Sequence, residues 1–339
     1  MRYAQKYKED ISAPMKYRDL GPIKNVSRLA LGGGGIGQVW GATDREEALA
    51  TVAAAVADGI NFFDLAPMYG DGEAERVVGA AYRNGYPDDI KVTTKCMLGD
   101  APTEEIDDRL RRSLDQSCGR LNRDYVDVFI LHGCVMEDGW AGAVHPRALP
   151  RVAVPLTKYR SQVVPAFQRL KDEGRIGAWG VTAAMIPDVD INVLALDERP
   201  DVVQCITNPL NSSGSMAMAA READHRAIIS AASEYGCGVM GIRAVAAGAL
   251  TDQIDREVKP HSAEQRDYDL AAPFRDLALE LGLPASQLAH QYALSLSGVD
   301  TVVLGVKNRQ ELKQAVEAEE SALSQELLQT IDGLWAVGS

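Results

Sequence analysis

Along the chain, short apolar runs alternate with longer segments whose apolar residues recur at helical spacing. Arg28–Leu31 reads as a strand running into Gly32–Gly35, and Thr43-Asp-Arg-Glu46 as a capping box opening an Ala-rich helix that Gly59 closes. Strand Ile60–Asp64, helix Glu73–Tyr82 and strand Lys91–Lys95 follow. An amphipathic stretch over Thr103–Ser117 precedes Val126–Leu131, a continuous apolar run of the kind buried on both faces. Next come a helix near Pro165–Glu173, strand Gly177–Val181, helix Pro187–Leu196, strand Val202–Ile206 and helix Arg221–Tyr235. Strand Gly238–Ile242, helical segments between Pro273 and Leu296, strand Thr301–Leu304 and helix Gln310–Glu319 complete the pattern.

Eight strands, each followed by helix, imply parallel βαβ units. With no linker or break in composition, they predict one closed (β/α)8 TIM barrel, an α/β single domain over residues 1–339. Two connections are long, at about 133–160 and 248–272. Structureless segments of that length are uncommon inside compact domains and usually act as lids or binding loops.

Composition narrows the partners. With 35 basic and 48 acidic residues the formal charge is −13, which argues against nucleic acid and anionic membranes as partners. The first residues, MRYAQKYKEDIS, lack the apolar core of a secretory signal, and no apolar run reaches bilayer length, so a cytoplasmic location is expected. Cysteines 96, 118, 134, 205 and 237 are scattered and odd in number, and read as reduced thiols. Histidines 132, 145, 225, 261 and 290 show no metal-ligand spacing, so no metal is expected.

Gly32, Gly34 and Gly37 satisfy G-x-G-x-x-G after a strand, with Asp64 ending the next one, and so imitate a Rossmann fingerprint. That fingerprint needs its helix to open within the glycines, whereas the capped helix begins only at Thr43; no Tyr-x-x-x-Lys pair supports the short-chain dehydrogenase version. A different set emerges at the strand ends: strand two ends at Asp64, strand three at Lys95 and strand four at His132, with Tyr69 on the loop just after strand two. In a parallel barrel these ends open on one face. An ammonium beside a phenol favours phenolate and lowers its pKa. A tyrosine tuned by Lys95, itself held by Asp64, can protonate a carbonyl oxygen that His132 orients. Singly, each residue has a duller role as a helix cap, a solvated strand end, a loop anchor or a barrel histidine. Together on one rim they read as a catalytic tetrad. Trp40 is a candidate wall for the substrate or a core residue.

The marks Gly59-Ile-Asn-Phe-Phe-Asp64…Tyr69-Gly70…Glu75…Gly79, Thr94-Lys95 and Tyr125-Val-Asp127…Leu131-His132 resemble the aldo-keto reductase family over nearly the whole chain. The resemblance implies a barrel that binds NADPH or NADH without a Rossmann domain. It also implies hydride transfer between the nicotinamide and a carbonyl or alcohol substrate, an aldehyde, ketone or sugar. It makes Tyr69 the general acid, Asp64 and Lys95 its tuners, and His132 the substrate-orienting donor. On the cofactor side it implies contacts at Gly33, Thr182, Gln204, Gly248, Leu250, Gly305 and Gln314. Gln204 matches the residue that binds the carboxamide. The usual Ser-Asn is Thr182-Ala183, the ring-stacking tyrosine expected three residues after Gln204 is Thr207, and of the turn after strand seven only Gly248-x-Leu250 follows the pattern.

After strand eight, backbone N–H groups with Lys307 and Arg309 form a candidate site for the adenosine 2′-phosphate, which favours NADP(H) over NAD(H). Arg243 can reach cofactor phosphates or an acidic substrate, or form a surface salt bridge. Two other readings stay open: a non-catalytic, nucleotide-binding regulatory barrel, and a Rossmann-type dehydrogenase. Substrate identity and oligomeric state leave no mark on the sequence.

Overall fold

The computed structural model describes residues 14–41, 43–219, 224–254 and 256–335. Eight parallel strands close into a barrel: β1 (Leu29–Gly32), β2 (Phe62–Asp64), β3 (Lys91–Cys96), β4 (Val126–Leu131), β5 (Ile176–Ala183), β6 (Val202–Ile206), β7 (Gly238–Ile242) and β8 (Thr301–Leu304). Each strand pairs with the next in sequence, and β8 closes on β1 through Val302↔Leu29 and Leu304↔Leu31. A doubly wound Rossmann sheet is therefore overturned. A one-turn helix does open within the glycines, at Gly33–Ile36, contrary to the sequence reading, but it leads from a barrel strand.

Side chains alternate across the strands. Phe62, Val128, Ile130, Ala178, Val202 and Met240 fill the barrel interior, while Phe63, Phe129, Leu131 and Val203 pack outward against the helices. An antiparallel hairpin, Tyr17–Leu20 with Ile23–Ser27, was not expected from sequence; its Leu20 and Val26 join the interior cluster. Gly21, at its turn, lies against Asp201 and Gly238, so the hairpin plugs the end where β6 and β7 begin. The opposite end is left for a site.

Several details correct the sequence reading. Asp44, not Thr43, caps the helix Arg45–Ala57, accepting from Glu47 N at 2.8 Å; the Thr43 hydroxyl donates to Lys307 O. The helix expected from Arg221 begins at His225 among the described residues, and 221–223 lie outside them. Segment 133–160 carries two short parallel strands, Cys134–Met136 and Ala153–Pro155. Segment 248–272 carries the helix Ala263–Leu270, and a further helix spans Gln325–Gly333.

Candidate active site

Period-two alternation explains why carboxylate and ammonium meet. Phe62 and Asp64 share the inner face of β2; Asp64 pairs in register with Thr93, and Lys95 lies two residues further along the same face of β3. Both side chains are buried, Lys95 completely. Lys95 Nζ lies 2.9 Å from Asp64 Oδ1 and donates to Asp64 Oδ2 at 3.0 Å, to Leu65 O at 2.9 Å and to Tyr69 Oη at 3.1 Å. An ammonium has three protons and no acceptor, so this set uses all of them. The phenol of Tyr69 accepts from Lys95, which leaves its own proton to point elsewhere. Gln204 Nε2, from the middle of β6, donates to Asp64 Oδ1 at 2.8 Å, and Thr182 Oγ1 donates to Gln204 Oε1 at 3.4 Å. Gln204 is thus tied to the carboxylate, a link that sequence reasoning missed.

Burial governs the protonation states. Burial pushes the Tyr69 phenol above its usual range; Lys95 pulls it back without cancelling the rise. The sequence expectation of a lowered phenol pKa is therefore reversed: the group is held as an acid. Burial opposes the charge on Lys95, yet Asp64 and Tyr69 more than offset it and keep Lys95 protonated. For Asp64 burial acts upward and Lys95 downward. The donors from Lys95 and Gln204 are satisfied by the ionised carboxylate. His132 is pushed down to about 3 by burial and by Lys95, so its ring is neutral and carries one N–H donor. Its backbone N–H is fixed on Cys96 O at 2.8 Å, and its ring meets Tyr69 edge-on at 6.0 Å between centroids.

Other motif residues build the scaffold. Glu75 accepts from Thr94 at 2.6 Å and from Arg120 at 2.5 Å, clamping the helix Glu73–Ala81 to β3 and to the helix Ile106–Leu121. A side chain at Gly79 would collide with Arg120 O. Asp127 accepts from Val92 N at 2.8 Å and ties β4 to β3.

Over this network opens a cavity of about 770 Å³. Asp64, Tyr69, His132, Gly33, Trp40, Thr182, Gln204, Arg243, Gly248, Gly305, Lys307 and Gln314 all reach its wall, and Lys95 lies behind it, bonded to Asp64 and Tyr69. Three expected contacts do not line it. Thr207 is buried against the Gly241 backbone, with its N–H on Ile242 O, so it stacks on nothing in the cavity. Leu250 belongs to a separate core with Phe274 and Tyr292. Arg309 points away, held by Glu47 at 2.9 Å. The backbone N–H groups expected to bind phosphate after β8 also have partners: Lys307 N donates to Glu311 and Arg309 N to Glu47. Lys307 Nζ lies 3.1 Å from Glu311 Oε1.

Arg243 is no surface salt bridge. It follows β7 directly with a left-handed backbone (φ 56°), and its Nε and Nη2 are buried without hydrogen-bond partners among the described residues. Ala246 and Ala247 are left-handed as well (φ 46° and 54°). Such non-glycine residues cluster at ligand sites, and runs of this kind form concavities that bind anions. Gly34 must be a glycine, because a Cβ there would overlap the Trp40 indole. Sequence reasoning also missed Met97, Met185, Met216, Met218, Arg256 and His290 on the cavity wall. Met97 and Met185 stand two residues beyond Lys95 and Ala183, positions the strand ends could have flagged.

Residues 28–336 match the Aldo/keto reductase family. The chain is 28% identical to L-galactose dehydrogenase of Arabidopsis thaliana over 320 residues, 91% of this chain and 90% of that protein. The glycerol dehydrogenase of Gluconobacter oxydans superposes with a TM-score of 0.68 at 21% identity, covering 96% of each chain. An aldo/keto reductase of Klebsiella pneumoniae in complex with NADP and acetate superposes with a TM-score of 0.66 at 23% identity, covering 95% of each. The chain belongs to the aldo/keto reductase family, and with it is an oxidoreductase of carbonyl compounds.

Proposed function

We propose that the protein is an NADP(H)-dependent reductase of aldehydes and ketones, reversible toward the alcohol, with Tyr69 as the proton donor. The observation that carries this reading is the fully buried Lys95, whose protons are spent on Asp64, Leu65 O and Tyr69 Oη. That arrangement leaves the phenol proton unclaimed by the protein. The neutral His132 ring beside it supplies an N–H to fix the carbonyl oxygen within reach of Tyr69. On reduction the Tyr69 proton passes to that oxygen. Lys95 stabilises the phenolate that results, and Asp64 with Gln204 keeps Lys95 in place.

The residues on the β7, β8 and β1 side suit a dinucleotide. Glycines 32, 33, 34, 248 and 305 admit close backbone approach, and Arg243, with two orphan donors, suits the diphosphate. Lys307 beyond β8 would take the 2′-phosphate by exchanging Glu311 for it. The Klebsiella pneumoniae protein, solved with NADP, lends the same preference. When bound, nicotinamide supplies the hydride for the carbonyl carbon. Trp40, packed over Gly34 and Gly305 with Arg256 across its ring at 6.0 Å, helps to keep water from the centre.

The test is Tyr69→Phe. NADPH binding, followed by fluorescence titration, should be retained, while aldehyde reduction falls by roughly 10²–10⁴-fold. Reduction at the parent rate would refute the assignment.

A further inference from the structure

The cavity wall is divided, and the division follows the barrel order β6-β7-β8-β1-β2-β3-β4-β5. Beyond the ends of β7, β8 and β1 the wall carries the charged side chains Arg243, Asp252, Arg256, Lys307 and Glu311. Beyond β2 to β6 it carries Met68, Met97, Met185, Met216 and Met218, five of the chain's nine methionines, drawn from four different loops. Ala148 and Val152, from segment 133–160, extend the apolar surface.

Among the described residues, the polar groups in this half are few and mostly engaged. Asp64 is taken by Lys95 and Gln204, and Gln204 by Asp64 and Thr182. That leaves Tyr69 and His132, which the reaction uses, with Ser215 and His145 at the exposed mouth. A carbonyl oxygen would find donors here. A chain of hydroxyl groups would not, and desolvated hydroxyls without partners weaken binding. Methionine is unbranched and polarizable, fits irregular apolar shapes and makes favourable contacts with aromatic rings.

We infer that this half selects bulky, apolar, ring-bearing aldehydes and ketones over polyhydroxylated ones. The inference rests on the reductase reading above and deepens it. The experiment compares kcat/KM with NADPH for 2-naphthaldehyde, methylglyoxal and glyceraldehyde. Naphthaldehyde should lead glyceraldehyde by at least about 100-fold, the discrimination expected when a pocket withholds partners from two hydroxyls. Met97→Gln and Met185→Gln, both at half-buried positions, should each lower the naphthaldehyde-to-methylglyoxal ratio about tenfold, chiefly through the KM for naphthaldehyde. Turnover of glyceraldehyde equal to or better than naphthaldehyde overturns the inference and leaves the reductase reading standing. If neither variant moves the ratio, the methionine wall is not the selector and the inference also fails. Absence of turnover with all three aldehydes, in a protein that also fails to bind NADPH, defeats the reductase reading and the inference with it.

Discussion

Lys95→Met isolates the cation on which the site is built. The side chains are similar in length, so packing is retained while three hydrogen bonds and one charge disappear. Asp64, 2% exposed, would keep only the Gln204 donor, and its carboxylate would be buried without a counter-ion. Breaking a buried pair from one side costs about 3–5 kcal/mol, because the remaining charge is uncompensated. The sign of the pH effect follows from Lys95 itself. Its folded pKa is raised, so its contribution is complete below the unfolded lysine pKa of about 10.4 and is lost only as pH rises through the folded value. At pH 7 the whole loss should therefore be seen. Lys95→Met with Asp64→Asn removes both charges and should recover much of the stability but none of the activity. In catalysis, Lys95 is the group that draws the Tyr69 pKa down against burial. Its removal should slow reduction by roughly 10²–10⁴-fold and move the alkaline limb of the pH–rate profile to higher pH. Urea melts and NADPH oxidation measured across pH give both quantities. Parent stability, or an unmoved alkaline limb, would refute the reasoning.

The tetrad was legible because strand alternation in a parallel barrel is a one-dimensional code: the last inward residue of each strand faces the mouth. Asp64 and Lys95 follow it within β2 and β3, and His132 continues the inner face of β4 just past its last residue, whereas Gln204 lies one inward position before Ile206 in β6. What the code does not carry is direction beyond the strand. Thr207 comes one residue after β6, where the chain turns outward against Gly241, and Leu250 faces a core that forms only when the C-terminal helices dock. The phosphate turn was misread for another reason. The carboxylate that holds Arg309 is Glu47, 262 residues away, and no local pattern announces it. The phenol pKa was misjudged in direction because sequence shows the neighbouring cation but not the depth of burial. The hairpin at 17–27 was missed because few of its residues are apolar and inward: Leu20, Val26 and the partly buried Ile23.

Other expectations test separate parts of the structure. Asp190 is fully buried with Oδ2 unpartnered among the described residues, and burial holds its pKa well above the usual carboxylate value. A raised acid costs stability as pH climbs above its unfolded pKa of about 3.9, so Asp190→Asn should melt higher than the parent at pH 8, with the gap closing toward pH 4. That gap grows by up to about 1.4 kcal/mol per pH unit, and thermal midpoints that run parallel across pH would refute it. Glu311→Gln should loosen the carboxylate's hold on Lys307 and tighten NADPH more than NADH in fluorescence titration; equal changes for both would contradict a 2′-phosphate role. Arg243→Gln addresses the diphosphate instead. Its buried Nε and Nη2 have no hydrogen-bond partner among the described residues, and hydrogen bonds from a charged donor contribute about 1.5–3 kcal/mol each, so losing one should raise the Kd roughly 10- to 100-fold. Because the diphosphate is common to both cofactors, NADPH and NADH should weaken by the same factor. The upward shift of the melting midpoint that each cofactor confers at a fixed concentration should shrink in step. A loss confined to NADPH would move Arg243 to the 2′-phosphate. No loss with either cofactor would leave its orphan donors to the substrate, and a KM that rises for carboxylate-bearing aldehydes alone would then identify the anion they serve.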